Sequence, residues 1–435
     1  MSNVSFHIEP GGRLNGECHV PGDKSISHRA IILGSLAKGT TRINGFLDSL
    51  DCLVTLNAFK QMGVHIEHEP DGEVVIHGVG MHGLMPSDKA LDLGNSGTSM
   101  RLLAGLLCAQ PFDSILTGDA SLMQRPMDRI ITPLTKMGAK IEGTASGCAP
   151  LVITGDQLLT GISYRAPMAS AQLKSCLLLA GLYAQGETKL LEAAVTRDHT
   201  ERMLTSFGFP IKKADRSVSL YGGGVLNAID MTIPGDLSSA AFYLVAACIT
   251  PNSYLVIKNV CINPTRTGVI RILKLMGADI ELCNKRLCGD EPVADIHVKS
   301  SCLEGIDIPQ ESVSLAIDEF PIIFIAAAAA SGQTVIKGAK ELRVKESDRI
   351  LTMIDGLQSL GIHAEALIDG AIINGGTFNG GIVDSHGDHR VSMAFSVAGM
   401  VAMKPITVLN CANVLTSFPN FVVLSTQLGM TILEK

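Results

Sequence analysis

Apolar positions fall into two series that recur along the chain. In the first, a segment with helical spacing ends on a glycine and runs into a short alternating stretch: NAFKQMGVHIEH, TPLTKMGAKIEG, RMLTSFGFPIKK, RILKLMGADIEL, DGLQSLGIHAEA and LSTQLGMTIL. These glycines are Gly63, Gly138, Gly208, Gly277, Gly361 and Gly429. A helix C-terminus favours a left-handed residue, and the alternation that follows predicts a strand. In the second series a polar head opens a helix that is apolar nearly all round: GDKSISHRAIILGSLA, GNSGTSMRLLAGLLCA, ASAQLKSCLLLAGLYA, GDLSSAAFYLVAACI, IDEFPIIFIAAAAAS and GDHRVSMAFSVAGMVA. A helix without a polar face must be buried, so each copy is expected at the centre of a domain.

A strand and a loop separate the two segments, as in TTRINGFLDSLD and TVIKGAKELRVKESDR. The unit therefore reads strand, buried helix, strand, loop, amphipathic helix, strand. Both series advance by roughly 70 residues per copy, too long for a solenoid repeat and suited to a small α/β unit. Six units most simply make two domains of three, each a buried helical bundle covered by sheets.

Composition narrows the function. The 435 residues are 46% apolar and 18% charged, which describes a folded chain long enough for two or three domains. Forty-two acidic against 35 basic residues, no Trp and 4% aromatics offer neither a cationic field nor stacking platforms, so nucleic acid is not an expected partner. The 11 Cys contain no CxxC pair and read as reduced thiols. The start, MSNVSFHIEPGG, has no signal-peptide pattern, and the apolar run Pro321 to Ala330 is too short to span a bilayer. A cytoplasmic protein without membrane partners is expected.

Helix N-termini carry unpaired N–H groups and the positive dipole end, so several converging on one cleft favour an anion. The cations follow the repeats: Lys24, Arg29, Arg101, Lys174 and Arg390 lie in the heads, and Arg125, Arg197, Lys345 and Arg349 in the loops. Guanidinium forks match phosphate and carboxylate oxygens, so a small polyanion is the expected ligand. Asp318 opens an otherwise apolar helix and Glu346 lies between Lys345 and Arg349. A carboxylate among cations stays ionised, as proton abstraction or charge stabilisation requires; alternatively Asp318 caps its helix and Glu346 is a plain ion-pair partner. His389 could donate to an anion, relay a proton or simply cap and pack. His65 and His68 form an HxxH, but on a strand that spacing puts them on opposite faces, which argues against a metal. NSGTS and YGGGV are too short for a nucleotide fingerprint.

Six stretches carry a family resemblance: PGDKSISHR (Pro21 to Arg29), LGNSGTSMR (Leu93 to Arg101), GDASLMQRPM (Gly118 to Met127), SAQLKS (Ser170 to Ser175), RVKESDR (Arg343 to Arg349) and GDHRVSMA (Gly387 to Ala394). The chain resembles the 5-enolpyruvylshikimate-3-phosphate synthase family. The resemblance implies an inside-out α/β barrel fold with two domains of three βαβαββ units. Residues 1–21 plus 235–435 would form the first domain and 22–234 the second, with substrates in the cleft between them. It implies transfer of the enolpyruvyl group of phosphoenolpyruvate to the 5-hydroxyl of shikimate 3-phosphate, with no cofactor and no metal. A monomer is expected.

Carried over by position, Lys24, Arg125, Arg349 and Arg390 resemble the cations that hold phosphoenolpyruvate, with Asn95, Gly97 and Gln172 beside them. Lys24, Ser25, Arg29, Ser170, Ala171, Gln172, Arg197, Asp318 and Lys345 resemble the shikimate 3-phosphate contacts. Asp318 is similar to the family's base, Glu346 to its acid/base partner, Lys24 to a proton donor and His389 to a group near the leaving phosphate. Three features are similar to the family's second class: Thr416 where the plant and enteric type has Lys, SAQ in place of SSQ, and SLMQRPM without a first Arg. Gly97 leaves room for the inhibitor glyphosate.

Two other readings make different predictions. The sister enolpyruvyl transferase that uses a UDP-sugar has a Lys-Asn pair near its N-terminus and usually a loop Cys where this chain has SLMQRPM. A non-catalytic polyanion-binding protein would have lost its acids, whereas Asp318 and Glu346 are both present.

Overall fold

The structure is a computed structural model that describes residues 4–69 and 72–435. The first three residues of the segment expected to belong to the first domain lie outside the described residues.

All six apolar segments form inner helices: Lys24–Leu36, Gly97–Leu107, Ala171–Gly181, Leu237–Ile249, Phe320–Ala329 and His389–Gly399. Their burial follows from their composition. In the first, every residue from Ile26 to Leu36 is buried, and in the fifth, FPIIFIAAAA, only its last alanine is not fully buried. Each such Leu, Ile or Phe side chain stabilises the fold by about 1.5–3 kcal/mol. Five of the six are capped by a side chain on their own N-terminal N–H groups: Asp23, Ser96, Ser170, Asp236 and Asp388. Such a cap contributes about 1 kcal/mol and ends the helix where the sequence turns polar.

The fifth inner helix differs from its expected form. It starts at Phe320, with Pro321 supplying the preset φ of a first turn, and Glu319 occupies the cap position without a side-chain capping bond among the described residues. Asp318 lies in the turn before the helix.

The amphipathic segments form shorter helices on the outside, Leu50–Gln61, Asp128–Lys136, His199–Ser206, Gly268–Leu275, Arg349–Ser359 and Phe421–Gln427. The glycine after each has φ between +81° and +104°, the left-handed backbone that ends a helix without a Cβ clash.

Each repeat contributes to one of six sheets. In the second repeat, Leu91–Asp92 runs parallel to Ser114–Thr117, which pairs antiparallel with Leu151–Thr154, which in turn pairs with Lys140–Glu142. In the first five repeats the strand after the outer helix is one half of a hairpin, whose second strand the hydrophobic pattern alone does not predict. Three repeats borrow a strand from elsewhere in the chain. Asp230–Thr232 runs parallel to Lys38–Asn44, Asn15–Cys18 parallel to Tyr254–Cys261, and Phe6–Glu9 between Ile406–Leu409 and Thr431–Glu434. The fifth sheet has only three strands, and Glu304 and Asp307 make isolated bridges in place of the fourth.

The chain divides into two compact units. The middle unit spans Gly22–Ile233 with Cys288–Asp290, and the terminal unit holds the chain up to Pro21, Pro234–Leu287 and Glu291–Lys435. Each has its own apolar core, built on its three inner helices. Among the described residues no helix is long and apolar enough to cross a membrane.

Candidate active site

In the terminal unit, the loop and outer helix of the fifth repeat meet the head of the sixth inner helix around Arg349. Its Nε donates to Asp388 Oδ2 (2.8 Å) and its Nη2 to Glu346 Oε2 (2.6 Å) and Asp388 Oδ1 (3.3 Å). Nη1 lies 3.6 Å from Asp318 Oδ1 and donates no hydrogen bond among the described residues. The guanidinium is almost wholly buried. Burial opposes its charge, but the carboxylates of Asp388, Glu346 and Asp318 outweigh that and push its pKa above the ordinary arginine value.

Asp388 is saturated: it also accepts from Ser347 Oγ (3.1 Å) and from Arg390 N, the bond that caps its helix. Lys345 Nζ is 3.2 Å from Asp318 Oδ1, and Arg390 Nη1 donates to the Asp318 carbonyl (2.9 Å). Asp318 therefore has two cations beside one carboxylate oxygen, Oδ1, and a third on its backbone carbonyl. His389 is buried as the first residue of the sixth inner helix.

The middle unit gathers its cations differently. Arg29 spans two repeats, with Nε on Thr200 Oγ1 (2.7 Å), Nη2 on Ser175 Oγ (2.6 Å) and Nη1 on the Ser25 carbonyl (2.8 Å). Arg125 donates to Asn95 Oδ1 (2.6 Å) and Ser121 Oγ (3.3 Å), and Asn95 is itself oriented by Asp119 (2.8 Å). Lys24 pairs with Asp51 at 2.6 Å. Gln172 accepts from Arg101 (2.7 Å) and donates to Thr98 (3.1 Å), which ties the second and third helix heads together. Ser170 caps the third inner helix, and Ala171 and Gln172 follow it, half-buried. At Gly97 a Cβ would sit 2.9 Å from Arg101 Nη1 and 3.2 Å from Arg125 Nη1, so the absent side chain is what lets both guanidinium groups approach this helix head. Behind the cations, His28 Nδ1, Thr55, Ser99 and Ser96 form a buried chain of short hydrogen bonds. Burial, then Lys24 and Arg29, pull the His28 pKa well below 6.5.

The residues expected at the site thus fall into two half-sites, one in each unit. Lys24, Ser25, Arg29, Asn95, Gly97, Arg125, Ser170, Ala171, Gln172 and Arg197 belong to the middle unit, and Asp318, Lys345, Glu346, Arg349, His389 and Arg390 to the terminal unit. Arg197 lies half-buried on the loop after Glu187–Leu191. Glu192 pins that loop by accepting from both the N–H and hydroxyl of Thr196. Lys174 does not serve as a head cation. It is buried between Glu192 (2.9 Å) and Glu201 (2.8 Å) and fixes the same loop through the Thr196 carbonyl (3.3 Å). A lysine one turn into an apolar helix can stay charged there only with such partners.

The sequence reading missed Asp388, which holds Arg349, and the related pair in which Arg266 meets the cap residue Asp236 at 2.8 Å. Both could have been noticed, because GDKS, GDLS and GDHR share a Gly-Asp head and place Asp at the cap.

Fold and half-sites together define an α/β protein of two three-repeat units, each with cations at its inner-helix heads and with three carboxylates gathered around Arg349 in the terminal unit. A family model described as EPSP synthase (3-phosphoshikimate 1-carboxyvinyltransferase) matches residues 8–424. The chain belongs to the EPSP synthase family. It is 57% identical over 430 residues to a protein of Methylococcus capsulatus named 3-phosphoshikimate 1-carboxyvinyltransferase, covering 99% of this chain and 98% of that one. A Legionella pneumophila protein of the same name is 58% identical, with 99% of both chains covered. Among solved structures, an EPSP synthase from Acinetobacter baumannii superimposes with a TM-score of 0.89 at 54% identity, covering 99% of this chain and all of that one.

Proposed function

We propose that this chain transfers the enolpyruvyl group of phosphoenolpyruvate to the 5-hydroxyl of shikimate 3-phosphate and releases phosphate. The observation that carries the reading is the Asp318 carboxylate held between Lys345 and Arg349, in a chain more than half identical to proteins named for this reaction. The substrate hydroxyl adds to C2 of the enol as C3 gains a proton. The methyl group so formed then gives up a proton as the C2–O bond to phosphate breaks. The first step needs a base for the hydroxyl and an acid for C3, and the second needs a base for the methyl group beside cations for the departing phosphate.

Asp318 takes the hydroxyl proton and grips the ring hydroxyls, and Glu346 and Lys24 exchange the C3 proton. His389 assists near the leaving phosphate. Lys24, Arg125, Arg349 and Arg390 hold the phosphate and carboxylate of phosphoenolpyruvate, with Asn95, Gly97 and Gln172 framing it. Lys24, Ser25, Arg29, Ser170, Ala171, Gln172, Arg197, Asp318 and Lys345 bind shikimate 3-phosphate. The two half-sites act as one site in a cleft between the domains, which closes over both substrates. Thr416, Ala171 and the SLMQRPM stretch support assignment to the family's second class. The enzyme works as a cytoplasmic monomer without a cofactor.

Phosphate release from phosphoenolpyruvate, measured with and without shikimate 3-phosphate in chelator-treated buffer, tests this reading. Release that requires both substrates is expected, with the product confirmed by mass. No release, with both ligands still bound, would move the chain to a non-catalytic polyanion-binding role.

A further inference from the structure

The hairpin of the first repeat carries a cluster that the reaction does not use. His65, on the edge strand His65–His68, stands directly opposite His77 on Val74–Val79, and their rings stack with centroids 5.0 Å apart. Glu67 lies two residues beyond His65 and so projects from the same face of the strand. Its Oε1 is 3.4 Å from His65 Nε2 and 3.0 Å from His77 Nε2. One ligand atom from each of the three residues falls within 4.8 Å of the other two. His68 lies outside the cluster. Its ring packs edge-on against Phe46 and its Nε2 is 4.0 Å from Asp48, as expected for the opposite face. The HxxH spacing therefore does not make a site, but the cross-strand register brings in a second imidazole that no local spacing reveals.

The geometry points to a binding site for one late first-row divalent cation, with Zn2+ as the reference ion, held by His65, Glu67 and His77. Metal–ligand bonds of about 2.0–2.2 Å at a tetrahedral ion place ligand atoms roughly 3.3–3.5 Å apart. The His65–Glu67 separation already has that value, and the His77–Glu67 separation is within a few tenths of an ångström of it. Two imidazoles and one carboxylate suit Zn2+, Ni2+ or Cu2+ better than Mg2+ or Ca2+, which prefer oxygen alone. His77 Nδ1 faces Thr40 Oγ1 at 3.3 Å, so an Nδ1–H donated there leaves Nε2 as the metal ligand. All three side chains are open to solvent, so an ion can enter without opening the fold and water can complete its shell. The ion would clamp an edge strand to its neighbour and stabilise the hairpin in proportion to its occupancy.

Titration of the metal-free full chain with Zn2+ by calorimetry, paired with Co2+ absorption spectra, tests the site. We expect one equivalent bound, and at least ~10-fold weaker binding in both His65→Ala and His77→Ala, with a smaller loss in Glu67→Gln. Turnover without added metal should be unchanged in all three, because none belongs to the half-sites. The Co2+ spectrum should lack the thiolate charge-transfer band that binding to any of the 11 cysteines would produce. Variants that bind Zn2+ like the parent chain, a thiolate band, or no uptake by the parent would each overturn the proposal.

Discussion

Arg349 in the terminal unit and Arg29 in the middle unit are both buried guanidinium groups, yet their surroundings neutralise them to different degrees. Arg349 is enclosed by carboxylates: Asp388 and Glu346 accept from it and Asp318 lies 3.6 Å away. Arg29 is oriented by two hydroxyls and a backbone carbonyl, and Arg125 by an amide and a hydroxyl. A hydroxyl, amide or carbonyl acceptor orients a guanidinium without placing an opposite charge on it. Carboxylates cancel the charge but supply groups that can exchange protons. The two guanidinium groups thus differ in what removing them leaves behind: carboxylates around Arg349, hydroxyls and a carbonyl at the three printed contacts of Arg29.

Substitutions can break this comparison. The largest effect is expected from Arg349→Met, which strands the fully buried Asp388 carboxylate and should cost about 3–5 kcal/mol in urea unfolding. A loss below 1 kcal/mol would mean that the carboxylates do not depend on this cation. Asp318→Ala should lower turnover by at least ~100-fold with little change in stability. A loss under tenfold would remove it as a base.

Smaller effects should come from the hydroxyl-held side. Arg29→Ala removes hydrogen bonds to two hydroxyls and a carbonyl, so its stability loss should stay near ~1–2 kcal/mol while the KM for shikimate 3-phosphate rises well above that for phosphoenolpyruvate. An equal effect on both substrates would contradict the assignment of Arg29. Gly97→Ala adds a carbon 2.9 Å from Arg101 and 3.2 Å from Arg125, and should raise the KM for phosphoenolpyruvate several-fold as the two side-chain ends give way.

The smallest effect is a pH dependence. His28 has its folded pKa well below the ordinary 6.5, so below pH 6.5 the unfolded chain takes up a proton that the folded chain refuses. Stability from this residue is therefore complete above pH 6.5 and declines as the pH falls, by up to about 1.4 kcal/mol between pH 7.5 and 5.5. Comparing urea midpoints of the parent and His28→Gln at both pH values isolates that contribution. A parallel decline in the two would refute it.

Much of this architecture is written locally. A glycine at each outer-helix end and a faceless apolar helix are signals within a dozen residues, and all six copies of both were readable. Non-local pairing was not. Leu91–Asp92 and Asp230–Thr232 are strands of two and three residues, defined only by the parallel neighbour each finds. At the site, residue types and repeat positions pointed to Lys24, Arg29, Asp318 and Arg349, but not to what each touches. Lys174 looked like another head cation, because nothing near it announces that Glu192 and Glu201 close around it. Asp388 is legible as a cap, but its grip on Arg349 bridges 39 residues and two repeats.

The strand Phe6–Glu9 bears on how the chain is made. His7 pairs with Thr407, 400 residues later, whereas everything the middle unit needs, save a three-residue hairpin tip, lies between Gly22 and Ile233. On a ribosome adding ~5–20 residues per second, this strand waits about 20–80 s for its partners. The middle unit can fold in that interval. Nascent-chain order is therefore reversed in assembly, with a strand translated before the middle unit seated after it.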